Sequence, residues 1–205
     1  MSARWHPIAL SQDVPAGVAA PVLLAGRELV LWRTEAGLLR LFVDRCPHRG
    51  MRLSFGFVRG DALVCLYHGW RWGADGACRA IPAHPDLEPP RSIAVEGFLV
   101  REAAGLVWAA LAEPGGPPPE TPAAARPLAT LAVERPASVL AHALGEGPLV
   151  GAEADGIALL LGLQPVDDHR AALHAFAADP DVAPLRALGA AEALRARLER
   201  QGDAA

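Results

Sequence analysis

From position 20 to position 108 the apolar residues fall into short runs: "PVLLAG", "RELVLWRT", "GLLRLFVDRC", "ALVCLYHGWRW", "FLVRE" and "GLVWAAL". Runs of this length, rich in Val, Leu, Phe and Trp and bounded by turn residues, read as strands rather than helices. The segments "AGRE", "TEAG", "ADGA" and "EAAG" supply the reversals, because glycine takes positive φ freely. The pattern predicts a small antiparallel β domain over residues 1–113. Between 114 and 127, "PGGPPPETPAAARP" carries six prolines in fourteen residues, which predicts an extended linker with no packed face. Over 128–205, "GIALLLGLQPV" and "RAALHAFA" predict a β-hairpin turning through "DDH". "PLRALGAAEALRARLERQ", from Pro184 to Gln201, predicts a helix with positions 185, 188, 194 and 198 on its apolar face and Pro184 in its first turn. The expected fold class is mainly β: small antiparallel sheets followed by a short α+β lobe that docks on them.

The length of 205 residues and 52% hydrophobic content are enough for a real core. All 19 basic residues are Arg, and the net charge of −4 comes without a long run of one sign. Nothing resembles a nucleic-acid stripe, so no nucleic acid is expected as a partner. No window offers the ~18 uncharged apolar residues of a spanning helix, and the first residues lack a charged-then-apolar leader. The expectation is a soluble cytoplasmic protein with no membrane partner, its oligomeric state open. Three cysteines do not make a disulfide framework in such a chain, and in a reducing compartment their spacing more often signals metal.

Two of those cysteines lie in "CPHRGMRLSFGFVRGDALVCLYHGW", residues 46 to 70, as Cys46-x-His48 and Cys65-x-x-His68, with sixteen residues between His48 and Cys65. Each turn thus offers one sulfur and one imidazole. Two thiolates on one iron and two imidazoles on the other are the ligand set of a Rieske-type 2Fe-2S centre. A structural zinc site also takes two Cys and two His, but zinc motifs usually pair like with like in each loop. The alternation favours iron and sulfide, with zinc the remaining alternative. Pro47 stiffens the first loop, Gly50 and Gly69 let backbone amides approach the sulfurs, and Trp70 and Trp72 can shield the site.

With "CPHRG", "CLYHGWRW", "ADGACRAIPAHP" and the closing "GLVWAAL", residues 5 to 113 resemble the N-terminal domain of Rieske non-haem iron oxygenases of the phthalate dioxygenase and vanillate demethylase type. The resemblance implies a 2Fe-2S cluster held by Cys46, His48, Cys65 and His68 on a domain of three small antiparallel sheets. Met51 and Tyr67 stand where respiratory Rieske proteins carry an extra cysteine in each loop, and Gly69-Trp70 replaces their Gly-Ser. Fewer positive influences on the irons point to a potential towards the negative end of the Rieske range.

A complete oxygenase of this family also binds a mononuclear iron through two His and a carboxylate, on a helix for which no match is found. His169 and His174, beside Asp167 and Asp168, are the nearest candidates, with His142 behind them. A strand running through 169 and 174 would point them to opposite faces. The lobe over 128–205 resembles a reduced oxygenase catalytic domain, its hairpin and final helix included. The leading expectation is therefore a one-electron carrier working with a redox partner, whether reductase, ferredoxin or oxygenase component. The alternative is a compact oxygenase using an iron around His169 and His174. Arg45, Arg49 and Arg52 flank the first loop, where they could attract an acidic partner. Cys78 reads as a small buried side chain, His84 as a loop residue, and Trp5 and His6 as closing the edge of the β domain.

Overall fold

A computed structural model describes residues 4–200; Gln201, the last residue of the expected helix, lies outside them. The N-terminal half runs β1 (His6–Leu10), β2 (Ala19–Leu24), β3 (Arg27–Arg33), β4 (Leu39–Val43), β5 (Phe57–Arg59), β6 (Ala62–Val64), β7 (Arg71–Gly73), β8 (Cys78–Ala80), β9 (Gly97–Ala103) and β10 (Leu106–Ala110). Every pairing is antiparallel. One sheet has the order β1-β10-β9-β4-β3-β2, and a smaller one is the meander β5-β6-β7-β8. The run 62–72, read from the sequence as one strand, is two, β6 and β7, with Cys65 to Trp70 looping out between them.

The resemblance implied three sheets for this domain, and the larger sheet shows why two are found. Its two three-stranded halves are joined only by β4 and β9, through Leu41 opposite Phe98 and Phe42 opposite Gly97. Glycine at 97 permits this approach, since a Cβ there would sit 3.3 Å from the Phe42 ring.

The C-terminal half contains β11 (Arg126–Val133), α1 (Ala137–Leu144), β12 (Leu149–Ala154), β13 (Ile157–Pro165), β14 (Ala171–Ala177) and α2 (Pro184–Arg200). Its sheet has the order β11-β14-β13-β12, and the β13–β14 pair is the hairpin expected from the sequence. One core gathers Leu131, Val133, Leu161 and Leu173 from the sheet with Ala190 and Leu194 from α2. The helix turns inward a face that contains two of its four expected positions, 194 and 198, with 188 half-buried. Ala187, Ala190, Ala191, Leu194 and Leu198 are buried, at the i, i+3, i+4, i+7 spacing of a helix stripe, while Leu185 is 84% exposed.

The proline-rich stretch is more tied down than an extended linker with no packed face. Thr121 is buried, Trp5 Nε1 donates to the Gly116 carbonyl at 2.7 Å, and β11 already begins at Arg126.

The two halves share a seam built on β10. Period-two alternation sends Val107 and Ala109 to the core of the larger sheet. The alternate residues Leu106, Trp108 and Ala110 meet Phe176 of β14, together with Trp5 and Leu10. This is why all five residues of β10 are buried. Backbone bonds add to the seam: Ala25 N–H donates to the Pro165 carbonyl and Gly26 N–H to that of Val166, both at 2.8 Å.

His174 lies inside this seam. Gln164 Nε2 donates to the Leu23 carbonyl across the seam at 2.9 Å, so its Oε1 is left to accept from His174 Nε2, also at 2.9 Å. Thr130 Oγ1 then donates to His174 Nδ1. Burial holds the His174 pKa down at about 4, against a weaker raising influence from the Pro7 carbonyl. Below pH 6.5 the unfolded chain takes up a proton that the folded one refuses, so stability is full above that pH and is lost as pH falls towards 4. From the two pKa values the loss between pH 7 and pH 5 is about 2 kcal/mol for this residue. Urea unfolding at the two pH values should show it, and His174→Gln should remove that share of the slope.

Candidate metal centre

The small sheet and the end of β4 present two loops that make the same turn. In the first, Cys46 N–H donates to the Met51 carbonyl and Gly50 N–H to the Cys46 carbonyl, both at 2.8 Å. In the second, Cys65 N–H donates to Trp70 at 2.9 Å and Gly69 N–H to Cys65 at 3.0 Å. Both turns close through a left-handed residue, Gly50 at φ +73° and Gly69 at φ +71°, a conformation glycine takes without penalty. Asp44, buried at the end of β4, clasps the first loop from behind. Its carboxylate accepts the Ser54 backbone N–H at 2.7 Å and the Ser54 hydroxyl at 2.6 Å.

Because the turns match, Cys46 and Cys65 occupy equivalent places. Both are 2% exposed, neither is in a disulfide, and their thiols interact. Burial, reinforced by Cys65, pushes the Cys46 thiol up to about 11, while the His48 backbone N–H and the Trp72 side chain act on its sulfur in the opposite direction. The histidines come from the second position after Cys46 and the third after Cys65, and this offset brings their rings together, 4.7 Å between centroids at 66°. Trp70 stacks flat on His48 at 4.4 Å and 10°, and Tyr67 lies 3.8 Å from His68. His48 is half-buried and His68 exposed. Partial burial, then the neighbouring His68 and Arg49, lower the His48 pKa.

The arrangement is two sulfurs inside and two imidazoles outside. Among the described residues no three His, Cys, Asp or Glu side chains converge as they would on a single ion. A two-iron, two-sulfide group needs no such convergence, because it takes only two protein donors per iron, the bridging sulfides supplying the rest. The donor set and its two-and-two division therefore fit that group better than one tetrahedral zinc. An open groove of about 380 Å³ runs beside the first loop, lined by Arg45, Pro47, Arg49 and Glu96 among others.

A family described as the Rieske [2Fe-2S] domain matches residues 4–94. These residues are a Rieske [2Fe-2S] domain. It implies a Rieske-type 2Fe-2S cluster, and the chain is related to ring-hydroxylating and demethylating oxygenases. The oxidoreductase NdmD of Pseudomonas putida is 40% identical over 116 residues, 56% of this chain and 20% of that protein. The oxygenase subunit of 3-chlorobenzoate-3,4-dioxygenase from Comamonas testosteroni is 40% identical over 111 residues, 53% of this chain and 26% of the subunit. The chain thus spans about a quarter or less of the length of these curated relatives. In fold the likeness extends beyond the Rieske domain. The structure of NdmA from Pseudomonas putida CBB5 matches with a TM-score of 0.76 over 96% of this chain and 81% of that one, at 20% identity.

Other residues singled out in the sequence lie apart from the Rieske loops. His169 is exposed in the β13–β14 turn while His174 is enclosed in the seam, with both ring nitrogens engaged. The two are not brought together, and Asp167 is bound instead to Arg170. His142 is exposed on α1, and His84 is exposed in a turn that its own N–H closes on Ile81. Cys78 is buried with its thiol 3.7 Å from the Ala80 carbonyl. Arg45 and Arg49 are exposed beside the first loop, whereas Arg52 is ion-paired with Glu28. Sequence reasoning missed the Asp44–Ser54 clasp; its signal was an acid at the end of a strand run, a common pattern that points nowhere by itself.

Proposed function

We propose that Cys46 and Cys65 hold one iron of the Rieske cluster, that His48 and His68 hold the other, and that the chain works as a one-electron carrier. The observation that carries this is the polarity of the site: paired thiols in the core, paired imidazoles at the surface. When bound, the cluster supplies a one-electron couple. The chain's own residues do the rest. Trp70 and Trp72 exclude water from the sulfur side, the glycine turns fix the loops, and exposed His68 gives a partner a short path to the metal. Arg45 and Arg49 favour an acidic rim on that partner, which we take to be a reductase, a ferredoxin or an oxygenase component. No helix among the described residues is long and apolar enough to cross a membrane, and three free cysteines suit a cytoplasmic setting.

Anaerobic reconstitution with iron and sulfide tests this reading. It should give a coloured protein with about two irons and two acid-labile sulfides per chain, and dithionite reduction should give a spin-resonance signal with the low average g value of mixed Cys/His ligation. Zinc without sulfide would overturn the reading. A third iron per chain would favour the compact oxygenase.

A further inference from the structure

His6 is 8% exposed, yet among the described residues its ring has no hydrogen-bond or ion-pair partner. A buried polar group without a partner is unfavourable enough to need a reason. His6 faces space instead. β1 is the edge strand of the larger sheet and meets the C-terminal half at Pro7, against Gly162 of β13. Beside that contact a cavity of about 330 Å³ opens between the start of β1, α1, the stretch before β12 and the end of β13. Ala141, Leu163 and Pro165 give it aliphatic walls. Its polar side chains are few: His6 inside, and Arg4, Ser138 and Glu146 at the exposed rim. Apolar walls with a few converging polar groups, in a hollow of this volume, are the ordinary make-up of a small-molecule site.

Charge narrows the ligand class. Burial, and after it the nearby Arg4, hold the His6 pKa down at about 4, so at neutral pH the imidazole is uncharged and offers one N–H. Arg4 forms no ion pair among the described residues and stands near enough to oppose a second positive charge at His6. The same field attracts an anion. We propose that the cavity binds a short aliphatic monocarboxylate, whose carboxylate accepts hydrogen bonds from His6 and Arg4 while its chain lies on Ala141, Leu163 and Pro165. Glu146 on the rim repels a second negative charge, which disfavours dicarboxylates. Both halves of the chain contribute to the site, and it does not rest on the metal ligands assigned above.

Titration of the full chain with butyrate at neutral pH, followed by NMR on the His6 ring signal, tests the site whether or not iron and sulfide have been loaded. The signal should move and saturate at low millimolar butyrate, the affinity of so small a ligand. Arg4→Gln, at an exposed position, should weaken binding about tenfold, because it deletes the charged donor. Butyramide keeps the shape without the charge, and succinate adds a second carboxylate; each should bind about tenfold more weakly than butyrate. Ser138→Trp, also at an exposed position, places an indole over the mouth and should abolish the shift. A His6 signal that does not move with butyrate overturns the proposal. So does binding that either variant leaves within about twofold of the parent, since that is how a general effect of anions on surface arginines behaves. Butyramide binding as tightly as butyrate would overturn the carboxylate class.

Discussion

On the proposed ligand assignment, Cys65→Ala should leave the protein colourless after reconstitution, with iron and sulfide falling from about two of each per chain to near none. The side chain is 2% exposed, and its loop is held by backbone bonds from Cys65 to Trp70 and from Gly69 to Cys65, which the substitution does not touch. The loop should therefore keep its shape and lose only a donor. A 2Fe-2S unit with one protein thiolate has an iron short of a ligand in a pocket where Trp72 limits access to water. The metal-free protein should lose only about 1 kcal/mol of stability, since the change deletes one buried sulfur. Cys78→Ala discriminates metal from packing. That thiol is also buried, at 6% exposure, yet it meets the Ala80 carbonyl, and the variant should retain full iron and sulfide. Equal losses in the two variants would place the effect in the fold instead.

Phe176→Ala should be the most damaging substitution outside the loops. The ring is fully buried and packs with Trp5, Leu10, Leu106 and Trp108 at the seam between the halves. A Cβ on Gly105 would already stand 3.2 Å from it, so the site is tightly filled. Phe→Ala in such a core costs about 3–5 kcal/mol, and at about 2–4 °C per kcal/mol for a chain of this size the midpoint should fall by roughly 6–20 °C. Calorimetry on the metal-free protein would read it. A midpoint unchanged within about 2 °C would mean that the seam contributes little to the cohesion of the chain.

The two Cys–His loops were legible because their proposed chemistry is written in residue types. Cys, His and Gly at fixed offsets survive without any knowledge of the fold, and the structure brings the two Cys–His pairs together. The offset of the histidines, second after Cys46 and third after Cys65, was visible as spacing. What it accomplishes, two rings side by side above two sulfurs, required the matching turns to be seen. The hairpin over β13 and β14 was legible from long apolar runs around a polar turn. The surrounding elements were not. β11 begins with Arg126 and Pro127 inside a proline-rich stretch, α1 has Pro136 as its N-cap with no side-chain capping bond, and β12 is half Ala and Gly. In α2 Leu194 and Leu198 marked the inward face, but alanine fills the rest of the contact: Ala187, Ala190 and Ala191 are buried while Leu185 is not. Small residues let helix and sheet approach closely, and they leave little signal in a periodicity reading.

The sulfurs face a wall of tryptophan and leucine while His68 faces outward, so on the proposed reading the centre has a single doorway. Donor and acceptor would have to use that doorway in turn. A ternary complex that sandwiches the carrier would have no second route for charge. Flux would then depend on how quickly each visitor departs, which rewards brief, loosely held encounters over tight ones.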